Sequence, residues 1–201
     1  MDPRAERPRS TERSQFRFCP QCATPLSRLE VDDRERPVCT ACGFIQYRNP
    51  VTGVAAVISE QSVLDRLGEH TTRYGLVDGS YRPRTDLARV LLARRATSYR
   101  GRWCLPCGHV EFDEEVREAL VREMREETGL ELRTGEVVAV LSNFHDPDHQ
   151  TVGVWFEGFP IGGLLQPGDD VDGLAFFDPR DPTIPLAFPT DRIVLDRLAL
   201  R

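Results

Sequence analysis

The chain has 201 residues, 40% of them apolar, and a formal net charge of −6. That length and apolar content suit one medium domain with a small appendage, and the negative balance implies no general affinity for nucleic acid. No apolar run approaches the roughly 18 residues of a membrane span, and all 26 basic residues are arginine, a compositional bias more than a functional signal.

Residues 1–15 are rich in Arg, Pro and Glu and lack the apolar core of a signal peptide. They read as a disordered tail on a cytoplasmic protein. In that compartment six cysteines point to metal binding or free thiols instead of disulfides. Residues 16–48 form the first unit. Cys19-Pro20-Gln21-Cys22 is followed, 16 residues on, by Cys39-Thr40-Ala41-Cys42-Gly43. Two residues between cysteines allow a knuckle turn that aims both sulfurs at one ion, and two knuckles supply the four ligands of a structural Zn²⁺. Two disulfides are the alternative. About 30 residues cannot bury enough surface to fold alone, so the metal would supply what the core lacks. With all four positions filled by protein, this zinc is expected to be structural, not catalytic.

Arg48-Asn49-Pro50 reads as the joint, and 49–201 as the second domain. Val54–Ile58 and Val90–Ala93 are short apolar runs, expected as strands, separated by a polar stretch, 60–86, read as an exposed loop containing His70. Trp103–Phe112 reads as strand and turn. Its Cys104-Leu105-Pro106-Cys107 resembles a redox pair. That chemistry needs a thiol at a helix N-terminus, and here the helix starts about six residues later among carboxylates, so two ordinary side chains at a strand edge are expected.

The clearest helix follows. Asp113 is the expected N-cap, with Glu114 and Glu115 in the first turn, Val116, Ala119, Leu120 and Met124 at helical spacing, and Gly129 as the terminating glycine. Further strands are expected at 137–141, 152–156 and 174–177, and a last helix at Asp191–Leu200 capped by Thr190. Strands before and after a central helix make a mixed α/β domain. On the central helix each residue turns about 100°, so Glu123, Glu126 and Glu127 share one arc of about 100°. Like charges so placed repel unless a hard cation with a taste for oxygen neutralises them. Arg122 can pair with one of them and fix its rotamer.

From Gly108 to Leu130 the chain resembles the Nudix signature, G-x5-E-x7-R-E-U-x-E-E-x-G-U with U apolar, at every specified position. The resemblance implies an α/β/α sandwich and the hydrolysis of a diphosphate linkage with Mg²⁺ or Mn²⁺, one to three ions. Glu123, Glu126 and Glu127 would be metal ligands, Glu114 an accessory ligand and the Gly108 carbonyl a further donor. The proton acceptor in such enzymes is either a helix glutamate (Glu126 or Glu127) or an acid in a later loop, here Asp170, in Gly168-Asp169-Asp170-Val171-Asp172-Gly173. The catalytic set is then Glu126, Glu127, Asp170 and Arg122.

An N-terminal zinc ribbon before a Nudix domain is shared by NADH pyrophosphatases, some of which split NAD-capped RNA. Their S-Q-P-W-P-F-P-x-S segment meets Ser142-Asn143-Phe144-His145-Asp146-Pro147-Asp148-His149 here, and only the serine agrees. Tyr47-Arg48-Asn49-Pro50 and Leu186-Ala187-Phe188 resemble instead a group that includes ADP-ribose and FAD pyrophosphatases. An ADP-containing small molecule is therefore the first substrate expectation. Phe144, Trp155 and Phe156 could stack on adenine, and His145 and His149 could touch phosphate or ribose. The family analogy also implies pairing into homodimers. A non-catalytic nucleotide-sensing adaptor is the reading from another class, opposed by the intact set of signature carboxylates.

Overall fold

The computed structural model describes residues 16–67, 89–146 and 149–200. The N-terminal tail, His70 and the greater part of the polar stretch after position 67 lie outside the described residues. The chain divides into two compact units, Met1–Asn49 and Pro50–Arg201.

The first unit is a two-stranded antiparallel sheet, β1 (Ser27–Val31) and β2 (Arg34–Val38), flanked by the two Cys knuckles. Asp32 and Asp33 both take positive φ (51° and 57°), as a two-residue hairpin turn of type I′ requires. Each knuckle closes on its first cysteine: the N–H of Ala23 donates to the Cys19 carbonyl and that of Gly43 to the Cys39 carbonyl, both at 2.9 Å.

The second unit has two sheets. β3 (Val51–Val57) runs parallel to β8 (Thr151–Gly163) and antiparallel to β6 (Cys107–His109), and β8 pairs antiparallel with β7 (Leu130–Asn143), in the order β6-β3-β8-β7. The other sheet has the order β5-β4-β9, from β4 (Val90–Arg95), β5 (Trp103–Cys104) and β9 (Val171–Phe177). Strand residues alternate between two cores. Val54, Ala56, Leu91 and Phe156 face Val63 of α1 (Glu60–Leu67) and Ala119, Leu120 and Met124 of α2 (Val116–Thr128). Their chain neighbours Ala55, Val90, Leu92 and Trp155 face Val194 and Leu195 of α3 (Pro189–Ala199). Period-2 side-chain alternation thus makes both faces apolar, and helices cover both: an α/β/α sandwich.

Four expectations need correction. Residues 60–67 are helical, not loop: the Ser59 hydroxyl accepts the Ser62 N–H in the manner of a capping serine, and Val63 anchors the turn in the core. The central helix begins at Val116, with Glu115 and not Asp113 as N-cap, its carboxylate accepting the N–H groups of Arg117 and Glu118. The last helix starts at Pro189 with Phe188 as N-cap, because a proline preset near helical φ suits the first position. Strand β7 is far longer than 137–141, and bulges near Thr134 and Val137 interrupt the alternation by which strands are recognised. Gly129 does terminate α2, at φ 71°.

Candidate active site and metal centre

Strand β6 lies beside the last turns of α2, and this proximity builds the site. The Cys107 N–H donates to Glu127 Oε2 at 2.9 Å. At the next residue a side chain is excluded: a Cβ on Gly108 would stand 1.8 Å from Glu123 Cδ. Glu123, Glu127 and Gly108 line a cavity of about 670 Å³. Glu127 is only 2% exposed. Burial raises its pKa to about 8 against the lowering effect of the Cys107 N–H, and the negative charges of Asp170 and Glu123 push the same way.

Arg122 holds the surrounding acids. It bonds Glu114 through Nε and Nη2, each at 2.8 Å, and pairs with Glu123 at 2.8 Å and Glu126 at 3.1 Å. A further bond to the His109 carbonyl ties the loop after β6 to the helix. The Arg122 hydrogen bonds hold the Glu114 carboxyl below its ordinary range. Glu114 and Glu126 are therefore oriented by Arg122 and do not line the cavity, whereas Glu123 and Glu127 do. Among the described residues these acids do not gather three ligand atoms within 4.8 Å of one another; only the four ribbon cysteines do.

The loop before β9 docks on the C-terminal end of α2. The Gly168 N–H donates to the Glu127 carbonyl, and a Cβ there would meet the Glu126 carbonyl at 2.4 Å. This brings Asp169 and Asp170 into the cavity lining. Asp170 Oδ2 pairs with Arg95 at 2.6 Å and accepts the Thr97 hydroxyl, while Arg95 also reaches Glu127 at 3.8 Å.

The aromatic expectations divide. Phe156 is core, and Phe144 is exposed and absent from the cavity wall. Trp155 lines the cavity but is 5% exposed, its Nε1–H given to Asp191. His145, His149 and His109 line the cavity. Tyr99, Phe188, Arg95 and Asp191 also line it and were missed by sequence reasoning. Arg95 had one usable signal, a charge at the end of an apolar strand. Cys104 and Cys107 are free thiols; Cys104 Sγ–H donates to the Ala93 carbonyl, and the neighbouring Cys104 thiol together with burial pushes the Cys107 thiol well up, the reverse of a reactive thiol.

In the ribbon, Cys19 and Cys42 sulfurs lie 3.5 Å apart and those of Cys22 and Cys39 3.4 Å. A disulfide would need about 2.05 Å, while sulfurs about 2.3 Å from one tetrahedral zinc stand somewhat under 4 Å apart. Hydrogen bonding with the Thr24 side chain and backbone draws the Cys22 thiol down to about 6. The Phe44 N–H favours the Cys42 thiolate, yet burial and the other three thiols push Cys42 up to about 12. Four thiols that cannot all ionise together are a set that fits a divalent cation.

Fold and site together define a class: an α/β/α sandwich whose central helix presents acids to a cavity, joined to a tetrathiolate ribbon. The chain belongs to the Nudix family, the NUDIX domain matching residues 80–198, and the family described as Nudix N-terminal, a zinc ribbon, matches residues 17–48. The chain is similar to the ADP-ribose pyrophosphatase of Methanocaldococcus jannaschii, 38% identical over 109 residues, which are 53% of this chain and 63% of that protein. It is also similar to the NAD-capped RNA hydrolase NudC of Pseudomonas aeruginosa, 26% identical over 162 residues, 80% of this chain and 47% of that protein. The matches thus span less than two thirds of either relative. A crystal structure of a NUDIX hydrolase from Nitrosomonas europaea shares the fold, with a TM-score of 0.68 at 24% identity over 92% of each chain.

Proposed function

We propose that this protein hydrolyses the diphosphate linkage of a nucleoside diphosphate derivative with Mg²⁺ or Mn²⁺, ADP-ribose- or FAD-like compounds first. The observation that carries the reading is the placing of Glu123 and Glu127 at Gly108 in one cavity. A buried carboxylate beside a partly buried one, all-oxygen donors and a backbone cradle closed to any Cβ fit a hard divalent cation. When bound, such ions neutralise the diphosphate oxygens and lower the pKa of a water.

The protein's own groups divide the remaining work. Glu123 and Glu127 hold metal, with the Gly108 carbonyl beside them. Arg122 fixes the rotamers of Glu114, Glu123 and Glu126, which leaves Glu114 and Glu126 as outer donors. Asp170, more open than Glu127 and carried on the docked loop, takes the proton from the attacking water. Arg95 sets its direction. His145 sits where the organic part of the substrate enters. The ribbon of residues 16–48 holds one structural zinc through Cys19, Cys22, Cys39 and Cys42. Thiolates of this kind persist in a reducing compartment, and we place the protein in the cytoplasm.

The test is a panel of ADP-ribose, FAD, NADH, NAD⁺ and nucleoside triphosphates, each with Mg²⁺, with Mn²⁺ and with chelator, against Glu127→Gln. Metal-dependent AMP release from ADP-ribose, lost in the variant, is the expected result. Preference for NADH would favour the second reading, which the similarity to the Pseudomonas protein supports. Uniformly low turnover that Glu127→Gln leaves unchanged would indicate a nucleotide-binding adaptor.

A further inference from the structure

The cavity has an acidic end and an aromatic end. At the aromatic end Tyr99, His145 and Phe188 form a closed trio, with ring centroids 5.5, 5.5 and 5.6 Å apart. Hydrogen bonds align two of them. Asn143 Oδ1 accepts from His145 Nδ1–H, which leaves Nε2 to accept the Tyr99 hydroxyl at 2.8 Å. The Arg95 guanidinium, already tied to Asp170, stands 5.8 Å over the Phe188 ring. One cation thus connects the carboxylates to the rings.

The backbone of Tyr99 carries a second, independent observation. Its φ is 55°, a left-handed conformation in which a bulky side chain is strained and glycine is at ease. The loop is fastened around it, with Arg95 bonded to the Ser98 carbonyl and hydroxyl. A turn alone would be better served by glycine. Holding a tyrosine there places its ring on the cavity wall, and strain of this kind collects at ligand-binding sites. Tyr99 keeps 39% of its surface exposed, unlike Trp155, whose ring lies on Gly153 and is sealed in the core.

We infer that Tyr99 is the specificity-determining residue of this site, and that its ring, braced by His145 and Phe188, stacks on the planar base attached to the diphosphate. The inference rests on the hydrolase reading for where the diphosphate lies. Its size fits: about 670 Å³ is within the range that encloses a whole nucleotide-sized ligand, well beyond a bare diphosphate.

The experiment measures binding of AMP, GMP, CMP and UMP, each against ribose 5-phosphate, to the full zinc-loaded chain with Mg²⁺ by calorimetry. The wild type should bind at least one nucleotide about tenfold or more tightly than ribose 5-phosphate, the scale of one base–aromatic stack. Tyr99→Gly, which suits the backbone, should bring that preference below about threefold, and Tyr99→Phe, which keeps the ring, should retain most of it. Phe188→Leu gives a second route to the same loss if the glycine variant does not fold. Equal binding of all five compounds by the wild type, or an undiminished preference in Tyr99→Gly, would overturn the inference. A base preference in a protein that hydrolyses nothing would overturn the hydrolase reading and leave the stacking wall standing.

Discussion

Gly108 and Glu123 stand so close that no other side chain fits between strand β6 and helix α2: the Glu123 carboxylate occupies the space of the missing Cβ. The glycine is needed for this approach, not for an unusual φ. Gly108→Ala should push Glu123 off its position by an ångström or more and lower turnover about 100-fold, the cost typical of such a misplacement. Steady-state kinetics with titrated Mg²⁺ would check it, and wild-type activity in the alanine variant would mean that Glu123 holds no metal.

Arg95 joins Asp170, Glu127 and Ser98 from a position 12% exposed. Replacing it with methionine leaves two carboxylates facing each other without their cation. Loss of one partner from such a buried set costs about 3 kcal/mol. Urea unfolding should show that loss in Arg95→Met and a smaller one in Arg95→Lys, which keeps charge but lacks the planar fork. Equal stability of wild type and Arg95→Met would show that the pairing contributes nothing.

Asp191 is buried and accepts the N–H of Leu105 at 3.1 Å and Nε1–H of Trp155 at 3.3 Å. Burial raises its pKa to about 7 in spite of those two donors. Its negative charge also helps to raise the Cys107 thiol on β6. A folded-state value above the unfolded one means that the folded protein holds the extra proton between about pH 4 and pH 7. The contribution to stability is therefore fully present below about pH 4 and is lost as pH rises to about 7, at up to about 1.4 kcal/mol per unit. Asp191→Asn cannot ionise, so its urea midpoint should depend less on pH across this window than that of the wild type. Parallel profiles would show that Asp191 is charged throughout.

Cys19 is buried at the centre of the ribbon, 3.5 Å from Cys42. Cys19→Ser should lower zinc content from about one ion per chain to none and expose residues 16–48 to protease, because a structural site of this type is its fold's main support. Elemental analysis and limited proteolysis report both. A zinc-free protein with an intact ribbon would exclude the structural role.

The parts legible in the sequence were those set by local rules. Cysteine spacing, the helical spacing of Val116, Ala119, Leu120 and Met124, and the terminating Gly129 each depend on neighbours a few residues away. The aromatic end of the cavity was legible only at His145: Tyr99 and Phe188, which meet it there, come from distant segments that only the sheet order brings together. Trp155 and Phe156 illustrate the same limit: adjacent aromatic residues in one strand point to opposite cores, one beside the cavity and one away from it. The short helix after β3 carries little sequence signal, because a capping serine and a single core valine are all that mark it over eight residues.

The docking of Gly168 onto the end of α2 has a consequence for evolution and for engineering. The main-chain contact of Gly168 sets the loop of Asp170 against the helix that carries the acids, and Arg95 and Thr97 then fix the Asp170 carboxylate. In the ring wall, Tyr99 shares its turn with Thr97 and Ser98, which bond Asp170 and Arg95, whereas His145 follows the end of β7. New substrates can accordingly be sought by rewriting the segment of His145 and by single changes at Tyr99, keeping Thr97 and Ser98 so that the acidic half of the cavity holds its alignment.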